Sequence, residues 1–232
     1  MEQLLGGYTL TVGEDCFPLS TDSMVLADFI PGQKYKRVLD LGSGCGTLGL
    51  LLYARGFQGQ LVGLELTPSG HEAALENIRQ NSLEGRMDSI CADLRQSTTL
   101  LTPGFFDCCV SNPPYFSSGE ASQRFSQARQ TLSCQAGDLF AAAAHALSWG
   151  GDFYLVHKPE NLALLCQLGG EYGLEPKRIR LVRHQAGKSP SLILLQCRKG
   201  GKTGLVWEDL TLRDAQGLPT ADYRRIYHTE GA

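Results

Sequence analysis

The chain has 232 residues, 42% of them hydrophobic, with 27 glycines and a formal net charge of −3 at pH 7. The length fits one domain, and the composition suits an α/β chain with many tight turns. No apolar run approaches the ~20 residues of a membrane span, and Met1 to Gly6 lacks a basic segment followed by an apolar core, so neither a membrane segment nor a signal peptide is expected.

Taken in order, residues 8 to 20 alternate loosely, Tyr8 to Val12 and then Cys16 to Leu19, and predict a short hairpin. Ser20, Thr21 or Asp22 can cap a helix whose Val25, Leu26, Phe29 and Ile30 share one face; Pro31-Gly32 stops it. Arg37 to Gly42 reads as the first core strand and its end. A leucine-rich helix from Thr47 to Arg55 follows, closed by Gly56. Gln60 to Leu66 is the second strand. Pro68 opens a helix to about Asn81, with Ala74, Leu75 and Ile78 facing inward. Met87 to Cys91 is the third strand and ends at Asp93. Phe105 to Ser111 is the fourth, on which Cys108 and Cys109 point to opposite faces.

Residues 116 to 135 are polar and long for a connection, which fits a substrate loop or a partly helical insertion without a role. Leu139, Phe140, Ala143, Ala144 and Leu147 have helical spacing. Trp149-Gly150-Gly151 turns into a strand from Asp152 to His157, and a helix from Glu160 to Tyr172 follows. Arg178 to His184 and Leu192 to Arg198 read as an antiparallel pair. A short strand around Leu210 and a terminal helix from about Thr220 complete the chain. The fold class is therefore α/β: a doubly wound, mostly parallel, seven-stranded sheet with an antiparallel C-terminal edge strand and a small N-terminal hairpin and helix. It forms a single domain over 1–232, with flanks at 1–36 and 200–232 around a core at 37–199.

The eight cysteines form no CxxC and lack metal-ligand spacing. They read as reduced thiols of a cytoplasmic protein, mostly in the core, with no metal. Between Lys177 and Lys202 there are eight basic residues and no acid. That window carries +8 against a chain total of −3, which leaves −11 elsewhere. Such asymmetry fits a face for a polyanion, or equally a charged sheet edge that blocks aggregation.

Two stretches carry chemistry. Asn112-Pro113-Pro114-Tyr115 follows the fourth strand at its carboxyl end, where open α/β sheets bind ligands. The prolines hold the Asn112 side chain and the Pro113 carbonyl in one direction. Two fixed acceptors suit an exocyclic NH2 group, and Tyr115 offers a stacking face. A rigid turn is the plainer alternative.

Asp40-Leu41-Gly42-Ser43-Gly44-Cys45-Gly46 joins the first strand to its helix, and Gly44 to Gly49 satisfies G-x-G-x-x-G. Asp40 would repel a pyrophosphate but attract an ammonium, which favours S-adenosylmethionine over NAD. Glu65 is placed to accept ribose hydroxyls and Asp93 the adenine amino group. Both could instead be ordinary strand-end caps.

As a set these residues resemble class I S-adenosylmethionine-dependent methyltransferases with an Asn-Pro-Pro-Tyr motif. Within that group the chain is similar to bacterial tRNA (adenine-N6) methyltransferases acting just 3′ of the anticodon in valine tRNA, at adenine 37. Besides the two stretches, Phe17 to Asp22, Ala128-Arg129, Gly187 to Pro190 and Tyr223 to Tyr227 carry the likeness. The resemblance implies a cofactor held by Thr21, Asp22, Asp40, Gly42, Ser43, Gly44, Gly46, Glu65, Leu66, Asp93, Leu94 and Asn112. It implies chemistry at Asn112, Pro113, Pro114 and Tyr115. Substrate contacts fall on Tyr115, Phe116, Arg124, Arg129 and Lys188, in a monomer with a tRNA partner. Guanine-N2 methylation of ribosomal RNA, adenine-N6 methylation of DNA and methylation of protein glutamine stay open. So do a non-catalytic RNA-binding protein and an NAD-dependent oxidoreductase.

Overall fold

A computed structural model describes residues 2–13, 16–113 and 136–228. Among them one sheet holds β3 (Arg37–Leu41), β4 (Gln60–Glu65), β5 (Met87–Cys91), β6 (Phe106–Ser111), β7 (Leu147–His157), β8 (Leu174–Arg183), β9 (Leu192–Lys199) and β10 (Val206–Thr211). Their spatial order is β10-β8-β9-β7-β6-β3-β4-β5. Only β9 runs against its neighbours; every other pairing is parallel. The doubly wound, mostly parallel sheet expected from the sequence is present, with one strand more than seven. A short turn at residues 200–205 steps past the start of β8, and β10 then pairs with β8 in parallel. The antiparallel strand is therefore flanked on both sides, and β10 is the edge.

Helices α1 (Thr21–Phe29), α2 (Thr47–Ala54), α3 (Pro68–Gln80), α4 (Ser97–Leu100), α5 (Ala136–Ala146), α6 (Leu162–Glu171) and α7 (Ala221–Tyr227) cover the faces. One core layer joins Val38, Leu61, Cys108, Val110, Tyr154 and Leu194 to α1, α2 and Ile226 of α7. The other joins Leu39, Leu64, Cys109, Phe153 and Leu195 to Leu139, Phe140 and Ala143 of α5 and Leu165 of α6. Cys108 and Cys109 thus enter opposite layers, as strand alternation requires. Among the described residues no helix is long and apolar enough to cross a membrane, and no cluster of ligating side chains could hold a metal.

The N-terminal hairpin lies earlier than the alternation suggests. β1 (Glu2–Gln3) pairs antiparallel with β2 (Thr9–Leu10), and Cys16 to Leu19 forms no strand. The backbone of β2 and the residue after it is claimed instead by side chains from the end of α3 and its C-cap. Asn77 Oδ1 accepts from Thr11 N, and its Nδ2 donates to the carbonyls of Thr11 and Cys45. Asn81 brackets Thr9 N–H and C=O in the same way. Asn77 is fully buried, so the N-terminal segment, α3 and the glycine loop are joined at one point. The turn at Gly150, with φ +80°, lies inside β7, because Phe106 pairs with Leu147 and Cys108 with Asp152.

Candidate active site

The carboxyl ends of β3, β4, β5 and β6 lie side by side, roughly 4.8 Å apart per strand. Asp40 sits near the end of β3 with 1% of its surface exposed. Burial, and secondarily the Glu65 carboxylate, pushes its carboxyl up to about 8. Among the described residues its Oδ2 has no hydrogen-bond partner, and neither has the buried Oγ of Ser43, which lies against Gly63 of β4. Gly42, Gly44 and Gly46 all have positive φ (+74°, +54° and +82°), which only glycine adopts without strain. Gly46 thereby serves as the left-handed N-cap of α2. An added Cβ at Gly42 or Gly44 would meet nothing within 4 Å, so the loop backbone faces open space. A buried carboxylate lacking a donor, beside exposed loop backbone, is a place for a cationic ligand.

Glu65 is 8% exposed and already committed in part. Its Oε2 accepts from Gly44 N at 2.8 Å, and its Oε1 from Thr67 N at 2.9 Å and Thr67 Oγ1 at 2.7 Å. It holds the glycine loop against β4; a ribose would have to share or displace these donors. Asp93 caps the turn after β5 through Arg95 N and is also bound by the Arg95 guanidinium, which holds its carboxyl below the usual range. Leu66 and Leu94 are half-buried at the same edge.

Asn112 and Pro113 close β6. Ser111 Oγ donates to Leu41 O at 2.7 Å, tying the ends of β6 and β3 together. Asn112 Nδ2 donates to Ser23 Oγ at 2.9 Å, in the first turn of α1. Ser20 caps that turn, its Oγ accepting from Ser23 N. Thr21 accepts from the Tyr227 hydroxyl of α7 at 2.9 Å, so the terminal helix braces the start of α1. Burial raises the Asp22 carboxyl, an effect that the Lys158 charge after β7 partly offsets. Thr21, Asp22 and Asn112 therefore stand together at the sheet's carboxyl edge. Ser23 escapes motif reading, its only sequence signal being a place three residues after a capping serine.

Lys188 is exposed on the turn between β8 and β9. It shares the carboxyl edge but stands about three strand spacings, ~14 Å, from β6. Pro114, Tyr115, Phe116, Arg124, Arg129 and the rest of the 116–135 segment lie outside the described residues.

Five of the eight cations in the basic window make contacts with parts of the fold outside it. Arg178 Nε and Arg180 Nε donate to the two carboxylate oxygens of Glu208 at 2.9 and 2.7 Å. Arg180 also reaches Asp28 at 3.1 Å; Arg183 pairs with Asp209, and Arg198 with the buried Asp152 at 2.9 Å. Lys199 Nζ donates to the carbonyls of Ala144 and Leu147. These cations are cross-links to β10, α1 and β7 that a charge count along the sequence does not reveal.

Comparison with known proteins places this geometry. The family model described as methyltransferase small domain matches residues 19–164. The chain is 33% identical over 233 residues to a protein of Tolumonas auensis named tRNA1(Val) (adenine(37)-N6)-methyltransferase, covering 94% of each. A protein of the same name from Bacteroides fragilis is 28% identical, over 81% of this chain and 80% of its own. Among solved structures, a predicted O-methyltransferase of Agrobacterium tumefaciens aligns with a TM-score of 0.74 at 19% identity, over 90% of this chain and 96% of its own. A Thermus thermophilus 16S rRNA N2 G1207 methyltransferase in complex with AdoMet and guanosine aligns with a TM-score of 0.55 at 21% identity, over 78% of this chain and 44% of its own.

Proposed function

We propose that this chain, which belongs to the methyltransferase small domain family, transfers a methyl group from S-adenosylmethionine to N6 of adenine 37 in valine tRNA. The observation that carries the cofactor reading is the partnerless, buried Asp40 Oδ2 beside a glycine loop open to solvent. The substrate reading draws on the names of the relatives, which span nearly the whole chain. On this reading residues 37–199 are the catalytic core of one domain, flanked by 1–36 and 200–232, in the cytoplasm.

When bound, S-adenosylmethionine supplies an electrophilic methyl carbon on its sulfonium. Asp40 would hold its ammonium, and Gly42, Ser43, Gly44 and Gly46 would let the backbone approach it. Glu65 would share its carboxylate with the ribose hydroxyls; Asp93 and the half-buried Leu66 and Leu94 would take the adenine end. The target adenine leaves the anticodon loop and stacks on Tyr115. Asn112 Oδ1 and the Pro113 carbonyl accept the two N6 hydrogens, which draws that nitrogen toward sp³ and turns its lone pair to the methyl. The nitrogen lone pair would take the methyl carbon as its bond to sulfur breaks, leaving S-adenosylhomocysteine. The N6 proton, acidic only as the carbon–nitrogen bond forms, would pass to solvent from its place on Asn112 Oδ1 or the Pro113 carbonyl, so no strong base is required first. Positioning and fixed dipoles carry the rate. Phe116, Arg124, Arg129 and Lys188 serve the surrounding RNA.

Labelled S-adenosylmethionine, offered with unmodified tRNA, ribosomal RNA or DNA and followed by nucleoside mass spectrometry, tests this. N6-methyladenosine in tRNA alone is expected. Label in guanosine or in DNA would overturn the substrate and keep the chemistry.

A further inference from the structure

We infer that Ser23 is a positioning residue that fixes which way the Asn112 amide points; this rests on the proposed role of Asn112. An asparagine side chain presents a carbonyl on one side and an NH2 on the other. Facing an exocyclic amine, the two orientations have opposite effects. With Oδ1 toward the substrate, Asn112 accepts an N6 hydrogen; with Nδ2 toward it, two donors face each other and the adenine is rejected. The prolines that follow fix the backbone, but they do not choose between these orientations.

A lone hydroxyl could accept from Nδ2 or donate to Oδ1; Ser23 selects the first when its own hydrogen is directed to Ser20. Ser23 Oγ takes the Asn112 Nδ2 hydrogen at 2.9 Å, which turns Oδ1 away from α1. Ser23 is 6% exposed, so water does not replace it readily. Because its oxygen accepts from Asn112, its own hydrogen is available to Ser20 Oγ at 3.4 Å, while Ser20 Oγ also accepts from Ser23 N at 3.3 Å. The donors Asn112 Nδ2–H and Ser23 Oγ–H then run in one direction. Such a chain polarises the amide and makes Oδ1 the better acceptor. Ser20 thus caps α1 and ends the chain that aims Asn112. Tyr227, bonded to Thr21 between them, fixes the same turn from the far end of the sequence.

The test compares Ser23→Thr with Ser23→Val, side chains of one shape that differ by the hydroxyl. Activity on unmodified valine tRNA, S-adenosylmethionine affinity and thermal midpoint are measured for both. Val is expected to lower kcat about 3- to 10-fold relative to Thr, the worth of one hydrogen bond, with KM and cofactor Kd within about twofold, the margin of a small perturbation. Equal kcat in the two variants would overturn the inference. Asn112→Asp supplies a second reading, because a carboxylate has two acceptors and no wrong orientation. In that background the Thr–Val difference should shrink; a difference that persists undiminished would assign Ser23 a merely structural role. Absence of N6 methylation by the wild-type enzyme would instead refute the proposed function.

Discussion

The glycine loop and the basic strands treat charge in opposite ways. At the loop, Asp40 is buried with an oxygen that none of the described residues bonds, and the Ser43 hydroxyl is likewise without a partner among them. On β8 and β9 every arginine of the basic window, Arg178, Arg180, Arg183 and Arg198, meets a carboxylate. An unpartnered buried polar group costs stability unless a ligand completes it. A paired cation on these interior strands is already complete and holds the fold together. Sequence density of charge is therefore a poor guide to a binding face, and unmet hydrogen-bonding capacity a better one.

The largest expected effect lies where the edge meets the reacting nitrogen. Asn112→Ala should lower kcat by about 100-fold or more, the scale seen when one transition-state acceptor or donor is removed, while S-adenosylmethionine still binds by calorimetry. Retained activity would break the assignment of chemistry to β6.

Asp40→Asn should weaken S-adenosylmethionine by about tenfold or more, since it removes a buried charge partner. The pH dependence is specific. Burial raises Asp40 from 3.8 to about 8 in the fold, so between those values the native state holds a proton that the unfolded chain has released. Rising pH through that window therefore lowers the stability of the free protein. Denaturant titrations from pH 4 to 8 should show this slope in the wild type and a shallower one in Asp40→Asn. Cofactor binding at pH 7 should release a proton, measured by calorimetry in buffers of different ionisation enthalpy.

On the other side of the comparison, Glu208→Ala removes the carboxylate that Arg178 and Arg180 share, leaving Arg178 with Gln196 and Arg180 with Asp28. It should cost about 1–2 kcal/mol of stability, as charge-assisted hydrogen bonds do, and leave kcat/KM for tRNA within about twofold, the scatter of a change remote from the site. A large fall in KM, from arginines freed to meet phosphate, would return the basic strands to RNA binding. Lys188→Ala should have the smallest effect. It should weaken tRNA binding a few-fold and reduce the slope of log K against log salt by about one phosphate contact.

Much of this was legible in the sequence because the signals were local. Asp40 to Gly46 and Asn112-Pro113 end strands whose apolar runs are continuous, and chain order puts them at one sheet edge. The likeness of Asn112 to Tyr115 to known amino methyltransferases then suggested the atom attacked. What stayed hidden depends on partners far along the chain. The hairpin lies earlier because Asn77 of α3 and Asn81, which caps that helix, claim the backbone that a local strand partner would have used. The short strand around Leu210 was expected, but not its place in the sheet, where Glu208 and Asp209 meet arginines some 30 residues earlier. Ser23 meets Asn112 across 89 residues, beyond any motif spacing.

The most direct measurement is mass-spectrometric mapping of two unmodified valine tRNA transcripts, one natural and one with adenine 37 replaced by guanine, after incubation with the enzyme and S-adenosylmethionine. The account predicts N6-methyladenosine at position 37 of the first and no methyl gain in the second. Equal methylation of both transcripts, or none in either despite cofactor binding, would contradict it.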